Sequence, residues 1–238
     1  VVRRGPPRER YPIFEQSYGP VDFVVPPDCS GQPASVMEEQ MQHIADKHTE
    51  IWLLRSWPDK CDPANVIPRW LAEQAYPAEE FWLQTNLFSR YLIASRTAVE
   101  GAQSGRLGEW ISLDAWGIDT DQVAPGQALN LTLTWASAAS LTQDYRVFVF
   151  LADQAEQEAA HRDAVPVMWL RPTTTWQVGE RITDHHALLI PPDARPGSYW
   201  LGVGMYSPAT GERLPVTGGQ GWMGNTALRL AAVAITPP

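Results

Sequence analysis

The chain has 238 residues, 44% hydrophobic and 19% charged, the composition of a soluble globular protein with one large domain or two small ones. Net charge is −9 and residues 108–238 contain no lysine, so the surface is acidic without basic clusters. That argues against nucleic acid and anionic lipid headgroups as partners. No run approaches the roughly 20 apolar residues that span a bilayer, and no basic start leads into an apolar signal core.

The chain opens VVRRGPPRERYP, with Val rather than Met first. This reads as an extended surface segment over 1–20 and suggests a mature product or an excised piece of a longer protein. A small domain is expected over 21–94. Val21–Val25, stopped by Pro26 and Pro27, suits a buried strand. Residues 33–48 suit a helix with an apolar stripe of Val36, Met37, Met41 and Ile44. Ile51–Leu54 is a second buried strand. Asn65 is expected to cap a helix over 66–75 that has Pro68 in its first turn. Phe81–Ala94 reads as a further strand or a hairpin. The order β-α-β-α-β predicts a small parallel α/β unit.

Cys29 and Cys61 are too few for a CxxC metal site. In a parallel unit they follow successive strands at one sheet edge, within bridging reach of each other. In an oxidising compartment they would form a disulfide; in a cytosol they would be two thiols.

Residues 95–108 are small and polar and read as a linker. Beyond them the period changes to two. Leu129, Leu131, Leu133 and Trp135 alternate with polar residues, and Tyr145–Leu151 alternates with both faces partly apolar. Further strands fit near 109–116, 157–163, 182–190, 198–206 and 226–235. Pro191–Gly197 joins two of them as a hairpin or corner. Seven or eight short strands over 109–238 predict an all-β sandwich of immunoglobulin or jelly-roll type, so the expected class is α+β in two parts.

Among the 11 tryptophans, six sit at strand or helix positions that suit core anchors: Trp52, Trp70, Trp110, Trp116, Trp135 and Trp200. Trp57, Trp169, Trp176 and Trp222 fall in predicted loops. Exposed loop indoles stack on pyranose rings, so these four are the candidate ligand-binding residues. Asp184-His185-His186 invites a metal reading, but adjacent strand histidines point to opposite faces. A rim aspartate with two surface histidines is the plainer expectation. Asp119 with Asp121, and Asp153 with Glu156, read as turn acids, and no calcium-loop pattern is present. Asn130-Leu131-Thr132 fits a glycosylation acceptor but lies mid-strand. There is no Gly-x-Ser-x-Gly elbow, phosphate-binding glycine loop or HExxH, so no catalytic residue, metal or cofactor is assigned.

Several motifs carry a resemblance. They include Ala124-Pro125-Gly126, Leu131–Trp135, Asp144–Val149, Asp163, Pro166, Thr174–Glu180 with Trp176, Asp184, Pro196–Tyr199, Val203–Tyr206 and Thr210–Pro215. With these the second half resembles a β-sandwich of bacterial GT-C type membrane glycosyltransferases, which look like dolichyl-phosphate-mannose protein mannosyltransferases. Glu50–Leu54, Asp62-Pro63 and Trp70-Leu71 look like the α/β segment after the last membrane helix of such proteins. Phe150 stands where that pattern would place His. The resemblance implies a non-catalytic, extracytoplasmic accessory region, tethered to the membrane in the full-length protein. Its implied partners are a glycan, a polyprenyl-linked sugar or membrane-protein subunits. The sugar-transfer acids of that family lie in a membrane part outside this chain. The alternative is a structural or assembly module without a small ligand. The implied extracytoplasmic setting favours the Cys29–Cys61 bridge.

Overall fold

The computed structural model describes residues 2–3, 32–56, 62–93, 98–101 and 105–237. The chain divides into two compact units, Val1–Ile93 and Ala94–Pro238.

In the first unit β1 (Val2–Arg3), β2 (Glu50–Ser56), β3 (Tyr76–Leu83) and β4 (Asn86–Leu92) form a sheet in the order β1-β2-β4-β3. Among the described residues only β1 and β2 run parallel; β2 with β4 and β3 with β4 are antiparallel. The predicted parallel α/β unit is therefore wrong. The run at 81–94 is the end of one strand and the whole of the next, folded back at Gln84-Thr85, with Gln84 at φ 56°. A parallel neighbour needs a crossover of a dozen or more residues, and this connection has two. The strand expected at Val21–Val25 lies outside the described residues, as do Cys29 and Cys61.

Helix α1 (Ala34–Ala45) buries Met37 and Met41 and lies beside α2 (Val66–Gln74). Asp62, not Asn65, caps α2. Its two carboxylate oxygens accept from the backbone N–H of Val66 at 2.7 Å and Ile67 at 2.9 Å. Asn65 takes a left-handed conformation and makes no side-chain cap bond. One sheet face carries Ile51, Leu53 and Tyr91, and the other carries Trp52, Leu54, Phe81 and Phe88. Phe81 stacks on Phe88 with centroids 5.1 Å apart.

The second unit has no α-helix among its described residues. Those residues form twelve strands: β5 (Val99–Gly101), β6 (Gly105–Leu107), β7 (Ile111–Ile118), β8 (Gln122–Val123), β9 (Ala128–Ser137), β10 (Arg146–Ala152), β11 (Glu158–Ala164), β12 (Ile182–Leu189), β13 (Gly197–Tyr206), β14 (Val216–Gly218), β15 (Gly221–Trp222) and β16 (Ala227–Ile235). β5 and β6 occupy the stretch expected as a linker. One sheet is ordered β12-β9-β7-β6-β14 with β5 on β7, and the other β11-β10-β13-β16-β15 with β8 on β16. All pairings are antiparallel except β8 with β16. The protein is thus mostly β in several antiparallel sheets rather than an α/β part followed by a sandwich of seven or eight strands. The second unit itself is sandwich-like.

Its core follows from the period of two. Leu129, Leu131, Leu133 and Trp135 of β9 share one buried cluster with Val147, Val149 and Leu151 of β10 and Leu201, Val203 and Met205 of β13. Each such side chain contributes about 1.5–3 kcal/mol on burial. Pro191–Pro196 carries the chain from β12 in one sheet to β13 in the other, so it is a corner and not a hairpin. On the far face of β10, Phe148 and Phe150 form a separate cluster with Ala152 and Ala227. The outer ends of their rings sit over Gly204 and Gly202, where a Cβ would overlap them.

Candidate functional site

The connection from β11 to β12 crosses from one sheet to the other, and its anchor is buried. β12 pairs with β9 so that Asp184 lies opposite Leu133 and His186 opposite Leu131, which turns both polar side chains inward. Each is 1% exposed. His186 Nε2 lies 2.8 Å from Asp184 Oδ2. Arg162 of β11 places Nη1 2.7 Å from His186 Nδ1. A guanidinium only donates, so Nδ1 accepts and the ring proton sits on Nε2, donated to the carboxylate. Asp184 Oδ1 accepts from the Val167 N–H at 2.8 Å. The expected rim aspartate and surface histidine are instead a buried clasp between two edge strands. His185 points the other way, with Nδ1 3.0 Å from Thr132 Oγ1.

Burial pushes the Asp184 carboxyl up, but the His186 ring, the Val167 N–H and the Arg162 guanidinium outweigh it. They hold the carboxyl below the usual carboxylate range.

The clasp supports an unusual turn. Val167, Met168 and Trp169 have φ of 53°, 49° and 61°. Left-handed backbone costs an L-residue roughly 1–2 kcal/mol, and a β-branched one is an outlier there. Asp184 grips the first residue of this turn, and Arg162 Nη2 donates toward Met168 Sδ at 3.6 Å. Trp169 is half-buried at its end.

Of the other described candidate indoles, Trp176 and Trp222 belong to separate clusters. Trp176 is 3% exposed and belongs to the sandwich core, with Nε1 donating to the Arg171 carbonyl at 3.0 Å. It is a core anchor, not a loop platform. Around it Arg171 pairs with Glu180 at 2.7 Å. That hydrogen bond, with the Gln177 N–H, holds the Glu180 carboxyl below its ordinary value. Asp144 Oδ1 accepts from the Thr174 N–H and hydroxyl at 3.0 and 2.7 Å. Trp222 is half-buried and stacks on Phe150, centroids 5.3 Å apart. Trp57 lies outside the described residues. Of the six expected anchors, Trp52, Trp116 and Trp135 are buried, Trp70 and Trp200 half-buried, and Trp110 is 45% exposed.

At one end of the sandwich a cleft of about 430 Å³ lies between the β10–β11 turn and the Pro191–Pro196 corner. Asp153, Gln157, Glu158, Asp193, Arg195 and Tyr199 line it. Sequence reasoning identified both connections as turns but not that they face each other; adjacency of turns from two different sheets leaves no local signal. Asp119 is committed to Asn130, accepting its N–H at 3.0 Å and its Nδ2 at 2.6 Å, which also encloses the side chain of the glycosylation-like motif. Among the described residues no group of three or more His, Cys, Asp or Glu is placed to hold a metal ion. No described helix is long and apolar enough to cross a membrane.

No protein-family model matches the chain, and no curated protein does. Similar solved structures include a Niemann-Pick type C2 protein from Japanese carpenter ant, 7% identical, with 60% of this chain and 99% of that one covered at a TM-score of 0.31. A CARDB domain from Pyrococcus furiosus, in complex with di-metal ions, is 8% identical, covering 57% and 97% at 0.30. A beta-glucosidase from Listeria innocua, in complex with glucose, is 14% identical, covering 58% and 16% at 0.29. None of these likenesses carries an argument about ligand or activity.

Proposed function

We propose that this chain is a non-catalytic extracytoplasmic accessory region of a polyprenyl-phosphate-sugar glycosyltransferase, contacting glycan or acceptor. The observation that carries this reading is the work done by the residues behind the resemblance. Asp144 fixes Thr174, Trp176 fills the core, and Asp184 anchors Val167. Each is spent on framework, which suits an accessory module whose chemistry lies elsewhere. Trp176 is withdrawn from the glycan-contact set because its ring is enclosed; Trp169 and Trp222 keep part of theirs accessible.

A second reading, an assembly module without a small ligand, is favoured by the β3–β4 tip, where Trp82 is 60% and Leu83 40% exposed. One experiment separates the two. An antibody to this fragment is used on membrane and soluble fractions of source cells, run on a denaturing gel. A membrane band far above 26.5 kDa is expected for the glycosyltransferase reading. A band near that mass in a soluble or peripheral fraction sinks it and leaves the assembly module.

A further inference from the structure

We infer that the cleft between the β10–β11 turn and the Pro191–Pro196 corner is a binding site for a short, neutral, polyhydroxylated ligand of disaccharide size. The inference rests on the reading above that glycan is the ligand class, and it names the site.

Its walls are preformed. On one side Asp153 Oδ1 accepts from the N–H groups of Ala155 at 2.8 Å and Gln157 at 2.9 Å, which fixes the carboxylate and leaves Oδ2 unused by that turn. Glu158 is oriented through Oε2, 3.0 Å from His161 Nδ1. On the other side three prolines stiffen the corner, and the Ala194 N–H donates to the Pro191 carbonyl at 3.0 Å. The Tyr199 hydroxyl donates to the Arg195 carbonyl at 2.8 Å, locking the ring against the corner. Polar groups held this way bind without a large ordering cost.

Its chemistry is mixed. The Asp193 and Arg195 side chains, both exposed on the corner, have no hydrogen-bonding or ionic partner among the described residues. Carboxylates accept from sugar hydroxyls, while Arg195 and Gln157 donate to them. Tyr199, Pro191 and Ala194 supply an apolar surface for C–H faces. Three carboxylates against one guanidinium disfavour phosphate and other anions. The volume falls within the range of small-ligand sites.

Isothermal titration of the full chain with mannobiose, maltose and cellobiose tests this, beside the single variants Asp193→Ala and Arg195→Ala. Neither side chain has a folding role, so both variants should keep the wild-type melting temperature. The expected result is binding of at least one disaccharide by the wild type, weakened tenfold or more in each of these two variants. If the cleft variants bind as the wild type does while Trp222→Ala loses binding, the cleft is not the site, and the glycan-contact reading survives without it. If the wild type binds none of the three sugars, both the site and the glycan-contact reading are overturned.

Discussion

The His186 imidazole and the Asp184 carboxylate meet at 2.8 Å inside the sandwich, on one strand and two residues apart. Their placement follows from strand period: Ile182, Asp184, His186 and Leu188 share a face, and the outer members of that row are core residues. With Arg162 across the gap they join the free edge of one sheet to the free edge of the other.

Asp184→Asn should cost about 1–3 kcal/mol, the range for leaving a buried hydrogen-bond donor without its acceptor. The carboxylate accepts two hydrogen bonds here, one from Val167 and one from His186, and an amide offers only one acceptor oxygen. Denaturant unfolding of the variant measures the loss, and a change within 0.5 kcal/mol (about the usual effect of a surface substitution) would contradict the clasp.

The same carboxylate makes stability depend on acid. Its folded pKa is depressed, so its contribution is complete above the unfolded value near 3.9 and disappears as pH falls through the lower folded value. The wild type should therefore lose melting temperature below about pH 4 more steeply than Asp184→Asn. Parallel pH slopes for the two proteins would show that Asp184 is not a linked group.

Trp176→Ala should destabilise by about 3–5 kcal/mol, as expected for emptying a core site of this size. Trp222→Ala removes a half-buried ring stacked on Phe150 and should cost clearly less. Equal losses for the two would contradict their assignment to core and surface.

Gly202→Ala should cost about 1–3 kcal/mol, because the added methyl meets the Phe150 ring. Combining it with Phe150→Leu should return part of that loss, since the ring is the obstacle. A double variant showing simple additivity would mean that the clash lies elsewhere.

In the first unit, Asp62→Ala should cost about 0.5–2 kcal/mol, because two orphan N–H groups at the start of α2 lose their acceptor. Asn65→Gly should be nearly neutral, since glycine accepts φ of 53° freely. The reverse ranking in thermal melts would restore Asn65 as the cap.

What was readable in the sequence was periodicity. The β9 row Leu129–Trp135 and the β10 row Val147–Leu151 announce both inner faces without help from context. The β3–β4 hairpin is one of the two readings the sequence offers for 81–94, but its turn is not marked, because Gln84-Thr85 contains no glycine, proline or asparagine. The left-handed turn at Val167–Trp169 was hidden for a related reason: its residues have no local preference for that backbone, and its support comes from Asp184, 17 positions away. Trp176 does lie in a loop, as its polar neighbours suggest, but those neighbours give no sign of its burial. The indole instead folds back to the Arg171 carbonyl, a contact that spacing alone does not encode. Cleft residues such as Asp193 and Arg195 lay in a recognised turn, but the opposing wall comes from the other sheet.

β11 and β12 each end their sheet, so each presents backbone N–H and C=O groups that no neighbouring strand satisfies. Such edges recruit strands from other molecules. Here both edges turn charged side chains inward, toward each other. An incoming strand would have to lay its own side chains beside a guanidinium, a carboxylate and an imidazole already committed to one another. The three residues that join the sheets therefore also mark where the sheets stop growing, and a variant that loses them should gain a tendency to associate edge to edge as well as losing stability.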